Sequence, residues 1–154
     1  MGVKEKGFQD MVIQMFAARG GHAVNVEPGT TNPGMPDINW CLEGIEGNLE
    51  LKFGFEGGAA PTIRPNQIVW FRERIKAKGM PMFGYYVESK EYVDLVFIIR
   101  GEHYEALAKA KTMDDIIVDV PKIIVTDPEE FVETLIGEMS EWHDEIDPPS
   151  RIIT

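Results

Sequence analysis

Asp37, Glu50 and Lys52 are the residues of this chain whose types and spacing suit chemistry. Asp37 ends the stretch Gly34-Met35-Pro36-Asp37, and Glu50-Leu51-Lys52 follows thirteen residues later. From Gly47 to Phe53 the chain alternates: Leu49, Leu51 and Phe53 are apolar, and Asn48, Glu50 and Lys52 are polar. Side chains two apart on a strand point the same way and lie roughly 7 Å apart. Glu50 and Lys52 are therefore expected to share one face while the leucines enter the core. Asp37 opens a preceding strand, Ile38-Asn39-Trp40-Cys41-Leu42, and a short turn at 43–46 returns the chain beside it. Two carboxylates that converge in this way make a hard-oxygen site suited to Mg²⁺ or Mn²⁺. A lysine beside them can hold a hydroxide or a phosphate oxygen.

The elements that must position these residues are legible from periodicity. Phe8, Met11, Val12, Met15 and Phe16 follow a helical stripe that predicts a helix over 4–19, stopped at Gly20-Gly21. Glu5 and Gln9 fall at the edge of that stripe and Asp10 opposite it. A glutamate at a core margin is costly without a cation, which favours Glu5 over Asp10 as a site residue; complementing the helix dipole is its alternative role. His22 to Glu27 reads as a strand. Residues 28–34 form a turn-rich loop whose amides and Thr30 and Thr31 hydroxyls suit phosphate contact or a plain connection. Pro65 suits the first position of a helix running to about Lys78, with Gly79 as its stop. Ile68, Phe71 and Ile75 form its inward stripe and Gln67 lies in its first turn. Arg64, Arg72, Arg74, Lys76 and Lys78 make this the most basic segment, a candidate DNA contact directly after the site, with a solvated face as its other reading. Trp70 lies on the flank of Gln67 and Arg74. Strands are expected at 82–87, 92–99, 116–120 and 122–125, and a short helix at 101–111. Thr126-Asp127-Pro128-Glu129 reads as a capping box opening a last helix, with Phe131, Leu135, Met139 and Trp142 inward.

Pro36-Asp37 with Glu50-Leu51-Lys52 resembles the signature of the PD-(D/E)XK nuclease superfamily, and in its short form the VRR-NUC-type and Holliday-junction-resolvase-like nucleases. The resemblance covers about the first two-thirds of the chain. It implies a restriction-endonuclease-like αβββαβ core, a mixed sheet flanked by helices, over residues 1–100. It implies that Asp37, Glu50 and the main-chain carbonyl of Leu51 hold Mg²⁺ or Mn²⁺, that Lys52 orients a water or offsets charge on the phosphate, and that Gln67, with Glu5 or Gln9, completes the shell. The activity implied is metal-dependent hydrolysis of DNA, on branched, flap, junction or plain substrates, by a homodimer if the resolvase-like relatives are a guide. The other reading is a non-cleaving module of the same fold that binds DNA or a protein partner.

The 154 residues suit one domain with an appendage. Charge divides the chain. Residues 1–100 carry 11 basic and 12 acidic side chains, whereas 101–154 carry 4 and 14, so the last third is expected to form an acidic extension, packed on the core and open to a protein partner. The single cysteine, Cys41, excludes internal disulfides and a multi-cysteine zinc site and is expected as a small core residue. No phosphate-cradling glycine loop and no nucleophile elbow is present. No apolar run reaches the ~20 residues of a membrane span and no signal segment is evident, so a cytoplasmic protein without membrane contact is expected.

Overall fold

The computed structural model describes residues 3–26 and 33–148. The predicted first helix is α1 (Val3–Ala18), which closes at Gly20, a residue in the left-handed region at φ 80°. Three strands follow: β1 (His22–Asn25), β2 (Ile38–Leu42) and β3 (Ile45–Phe55). After α2 (Pro65–Lys76) come β4 (Met82–Glu88) and β5 (Leu95–Arg100). A 3₁₀ turn then leads into α3 (Tyr104–Lys109), followed by α4 (Met113–Asp119), β6 (Ile123–Val125), a second 3₁₀ turn and α5 (Phe131–Ile146).

The six strands form one mixed sheet in the order β1-β2-β3-β4-β5-β6. All neighbours are antiparallel except β3 and β4, which run parallel. A parallel pair needs a crossover, and α2 supplies it. Alternation then sorts the side chains into two cores. Ile38, Trp40, Leu49, Leu51, Met82, Val96 and Ile98 pack under α1 and α5 with Phe8, Phe16, Phe131 and Leu135. Phe83, Tyr85, Phe97 and Ile99 pack on the other face under α2, α3 and α4 with Phe71, Leu107 and Ile116. The protein is thus an α/β fold with a mixed sheet between two helical layers. Residues 101–148 share this architecture: β6 pairs on β5, and α5 contributes to the same core as α1. Arg100 fastens the last helix to the sheet through Glu138, at 2.5 Å, and Glu145. Among the described residues no helix is long and apolar enough to cross a membrane.

Several expectations need correction. Residues 116–120 are not a strand; 116–119 lie in α4 and Val120 ends it, and at its start the Thr112 hydroxyl accepts from the Asp115 amide while the Asp115 carboxylate accepts from the Thr112 amide. The strand expected from Tyr92 begins at Leu95, and Val93 is 79% exposed. Asp127, not Thr126, caps the turn before α5, accepting from the Glu129 amide at 3.1 Å. Cys41 is half-buried rather than in the core, because it is out of phase with Trp40 and Leu42. The first expected strand ends at Asn25 among the described residues, and the expected phosphate-contacting stretch 28–32 lies outside them.

Candidate active site

The register of β2 and β3 builds the site. Ile38 faces Leu49, so Asp37, one residue before β2, stands opposite Glu50. The Asp37 amide donates to Glu50 Oε1 at 3.1 Å, and the Leu51 amide donates to Asp37 Oδ2 at 3.2 Å. Each carboxylate is thereby held by the backbone of the other's strand. Gly34 aims the approach to Asp37. It has φ 82°, and a Cβ there would lie 2.1 Å from the Asn66 carbonyl oxygen, so the turn rests directly on the start of α2. Only a residue without a side chain permits that approach.

Glu50 is 2% exposed, and a buried carboxylate requires partners. It has two besides the Asp37 amide. Gln67 Nε2 donates to Glu50 Oε2 at 2.6 Å, and Lys52 Nζ lies 3.0 Å from the same oxygen. Gln67 is fully buried, and its carbonyl oxygen accepts from the Arg64 amide at 3.1 Å and from Lys52 Nζ at 3.3 Å. One side chain therefore caps the first turn of α2 and ties that helix to β3. Lys52 completes its donors on the Thr62 carbonyl at 3.0 Å. Burial first, and the neighbouring Glu50 charge second, push the Asp37 carboxyl up to about 7. The pair is short of positive charge, and two hard oxygen donors so placed fit a divalent cation.

These groups open on a cleft of about 560 Å³ lined by Glu5, Gln9, Asp37, Glu50, Lys52 and Arg64, among others. Glu5 and Gln9 thus reach the same cleft from α1, both half-buried, while Asp10 is exposed. Glu5 does not join the carboxylate pair closely: among the described residues no three His, Cys, Asp or Glu side chains are grouped to hold a metal. Leu51 buries its side chain in the core. The α2 cations divide. Arg64 lines the cleft, and Arg74 stacks over Trp70 at 4.6 Å from its ring centroid. Arg72 sits beside Glu73 at 3.6 Å, and Lys76 is exposed. They do not form one continuous patch.

Sequence reasoning missed Asn25, Val26, Met35 and Thr62 as cleft residues. Thr62 acts through its carbonyl, which side-chain pattern cannot reveal. It also missed Tyr85, which faces Lys52 in register and has a buried hydroxyl without a hydrogen-bond partner among the described residues; burial, then the Glu50 charge, push its phenol well above the ordinary range. The alternation Phe83, Tyr85, Val87 carried that signal. Compared with known protein families and with characterised proteins, the chain matches no family model and no characterised sequence.

Proposed function

We propose that this protein is a metal-dependent nuclease of the PD-(D/E)XK type that hydrolyses DNA phosphodiester bonds. The observation that carries the reading is the facing pair Asp37 and Glu50, in which the Asp37 amide donates to Glu50 Oε1 at 3.1 Å, with Lys52 on the buried carboxylate. The order of elements, α1, β1 to β3, α2, β4, supports the same reading, since it follows the αβββαβ core of that superfamily. Asp37, Glu50 and the Leu51 carbonyl would hold Mg²⁺ or Mn²⁺. When bound, the cation supplies Lewis-acid polarisation of the phosphate and a water acidified toward hydroxide.

The chain's own groups do the rest. Gln67 fixes the Glu50 rotamer by its 2.6 Å bond, so the carboxylate meets its target without reorganising. Lys52, held within 3.3 Å of three oxygens, keeps an ammonium where charge develops on the phosphoryl group. Arg64 at the cleft wall orients the substrate backbone. Glu5 or Gln9 receives the far side of the attacking water through the cleft. A second reading, a non-cleaving DNA- or protein-binding module, draws on one observation: all three Lys52 contacts are already made within the protein.

Purified protein is to be assayed with Mg²⁺ or Mn²⁺ against linear, flap and four-way DNAs. Cleavage is expected, lost in chelator. Glu50→Ala and Asp37→Ala are each expected to lower the rate by at least about 10²-fold, as removal of a principal electrostatic group does, with the melting profile still cooperative. Full activity in folded Glu50→Ala would overturn the assignment, and absence of cleavage on every substrate would favour the binding module.

A further inference from the structure

The face of the sheet that carries Asp37, Glu50 and Lys52 does not stop at the cleft. Asn39 lies two residues beyond Asp37 and Asn48 two before Glu50, so both point to the same side, and they face each other in register, with Asn39 Nδ2 3.4 Å from Asn48 Oδ1. Cys41 continues the row on β2; His22 and Val24 face Cys41 and Asn39 from β1. The buried neighbours Ile38, Trp40 and Leu42 belong to the opposite face under α1. On the Asn39 side α2 covers the sheet over Phe83 and Ile99, leaving β1 and β2 bare among the described residues: His22 and Asn39 are exposed, and Val24 is 41% exposed.

The flank of α2 that walls this bare face can be identified. Phe71 packs against Gly101 at the entry to α3, so the side of the helix beyond Phe71, where Arg72 lies, looks toward α3. Asn66 and Gln67 carry the backbone on which Gly34 rests, so their side looks toward β2. At about 100° per residue Trp70 and Arg74 fall on the Asn66–Gln67 side. The result is a shelf: a three-stranded floor of amides, imidazole, thiol and one valine, a wall made of the stacked Trp70 and Arg74, and the carboxylate pair at its inner end.

We infer that this shelf holds an unpaired nucleic-acid strand next to the scissile phosphate. The inference rests on the nuclease reading and names its substrate class. A duplex meets proteins phosphates first and needs cations on the contact surface. The floor offers no lysine or arginine, and Glu46 at its outer edge is acidic. Amide groups and an imidazole instead suit the edges of exposed bases, while Arg64 and Arg74 at the wall take the phosphates.

Cys41, the chain's only cysteine, lies on the floor and provides a footprint. The full chain in chelator is to be alkylated with iodoacetamide and followed by mass, alone, with oligodeoxythymidylate, and with blunt duplex of equal length. The single strand is expected to slow alkylation severalfold, and the duplex to leave it unchanged. Asn39→Asp with Asn48→Asp places two charges on the floor and is expected to abolish the protection while Mn²⁺ binding persists; should that pair not fold, Asn39→Ala carries the same expectation at smaller size. Alkylation indifferent to saturating single strand, equal protection by duplex, or protection that grows with protein concentration without DNA, as when a second copy covers the face, would each overturn the inference. A protein that cuts DNA but leaves Cys41 open loses the shelf and keeps the nuclease. A protein whose Cys41 is protected but that cuts nothing keeps the shelf and loses the nuclease.

Discussion

At the residue scale, the site is a problem of charge. Asp37 ordinarily ionises near 3.8, and burial together with Glu50 raises it to about 7. A carboxyl that binds its proton more tightly folded than unfolded contributes stability fully present below 3.8 and lost as pH rises through about 7. The melting temperature in chelator is therefore expected to fall across that window. Asp37→Asn should flatten the slope, and added Mg²⁺ should oppose it at the upper end, because bound cation favours the ionised carboxylate. A melting temperature that rises across the window, unaltered by Asp37→Asn, would contradict this account. Glu5 and Asp10 give a second residue-level contrast. Glu5 lines the cleft and Asp10 is exposed, so Glu5→Gln is expected to depress cleavage severalfold and Asp10→Asn to leave it within error in the same gel assay.

At the scale of elements, the site depends on how α2 meets the Pro36-Asp37 turn. Gly34→Ala would drive a Cβ into the Asn66 carbonyl from a left-handed backbone position. The expected cost is about 2 kcal/mol or more, the combined scale of backbone strain and overpacking, read as a lowered denaturation midpoint. Cleavage should fall further than stability alone explains, since Asp37 moves with the turn. An unchanged midpoint would mean that the turn gives way freely. These elements also mark what the sequence made legible. The alternation of Leu49, Leu51 and Phe53 with Glu50 and Lys52 gave β3 its face, and the Phe8 to Phe16 stripe gave α1, because long periodic segments constrain their own geometry; β3 itself runs from Ile45 to Phe55, into the turn expected at 43–46 and the loop expected after Phe53. Residues 116–120 failed because Ile116, Val118 and Val120 alternate like a strand; the capping pair Thr112 and Asp115 was the local signal for α4 and it precedes the stretch. The Gln67 bridge was legible only as a position in the first turn. Its partners come from β3 and the helix entry, and no spacing encodes a contact across seventeen residues.

At the scale of the whole molecule, the acidic last third lies mainly on the far side from the shelf. α5 packs with α1 on the opposite sheet face from α2, and Glu129, Glu130 and Glu133 are exposed there. Neutralising those three is expected to change DNA affinity little. Neutralising Arg64 and Arg74 should weaken binding and flatten its salt dependence by roughly 0.7 per lost contact on a single strand. Plots of log affinity against log salt check both arms. A strong gain in affinity on neutralising the three glutamates would place that surface against the nucleic acid instead.

The three tryptophans sit in three different places in this architecture, and that gives the protein its own optical reporters. Trp40 lies in the sheet, 1% exposed and stacked on Phe16 at 5.0 Å. Trp142 is buried on α5 with the Arg100 guanidinium 5.7 Å from its ring centroid. Trp70 alone flanks the shelf, half-exposed beneath Arg74. Emission from a protein retaining only Trp70 reports occupancy of the shelf, whereas Trp40 and Trp142 report whether the layer of α1 and α5 is closed on the sheet. Ligand binding and loss of the fold, which a single activity assay merges, thereby become separately readable from proteins that each retain one tryptophan.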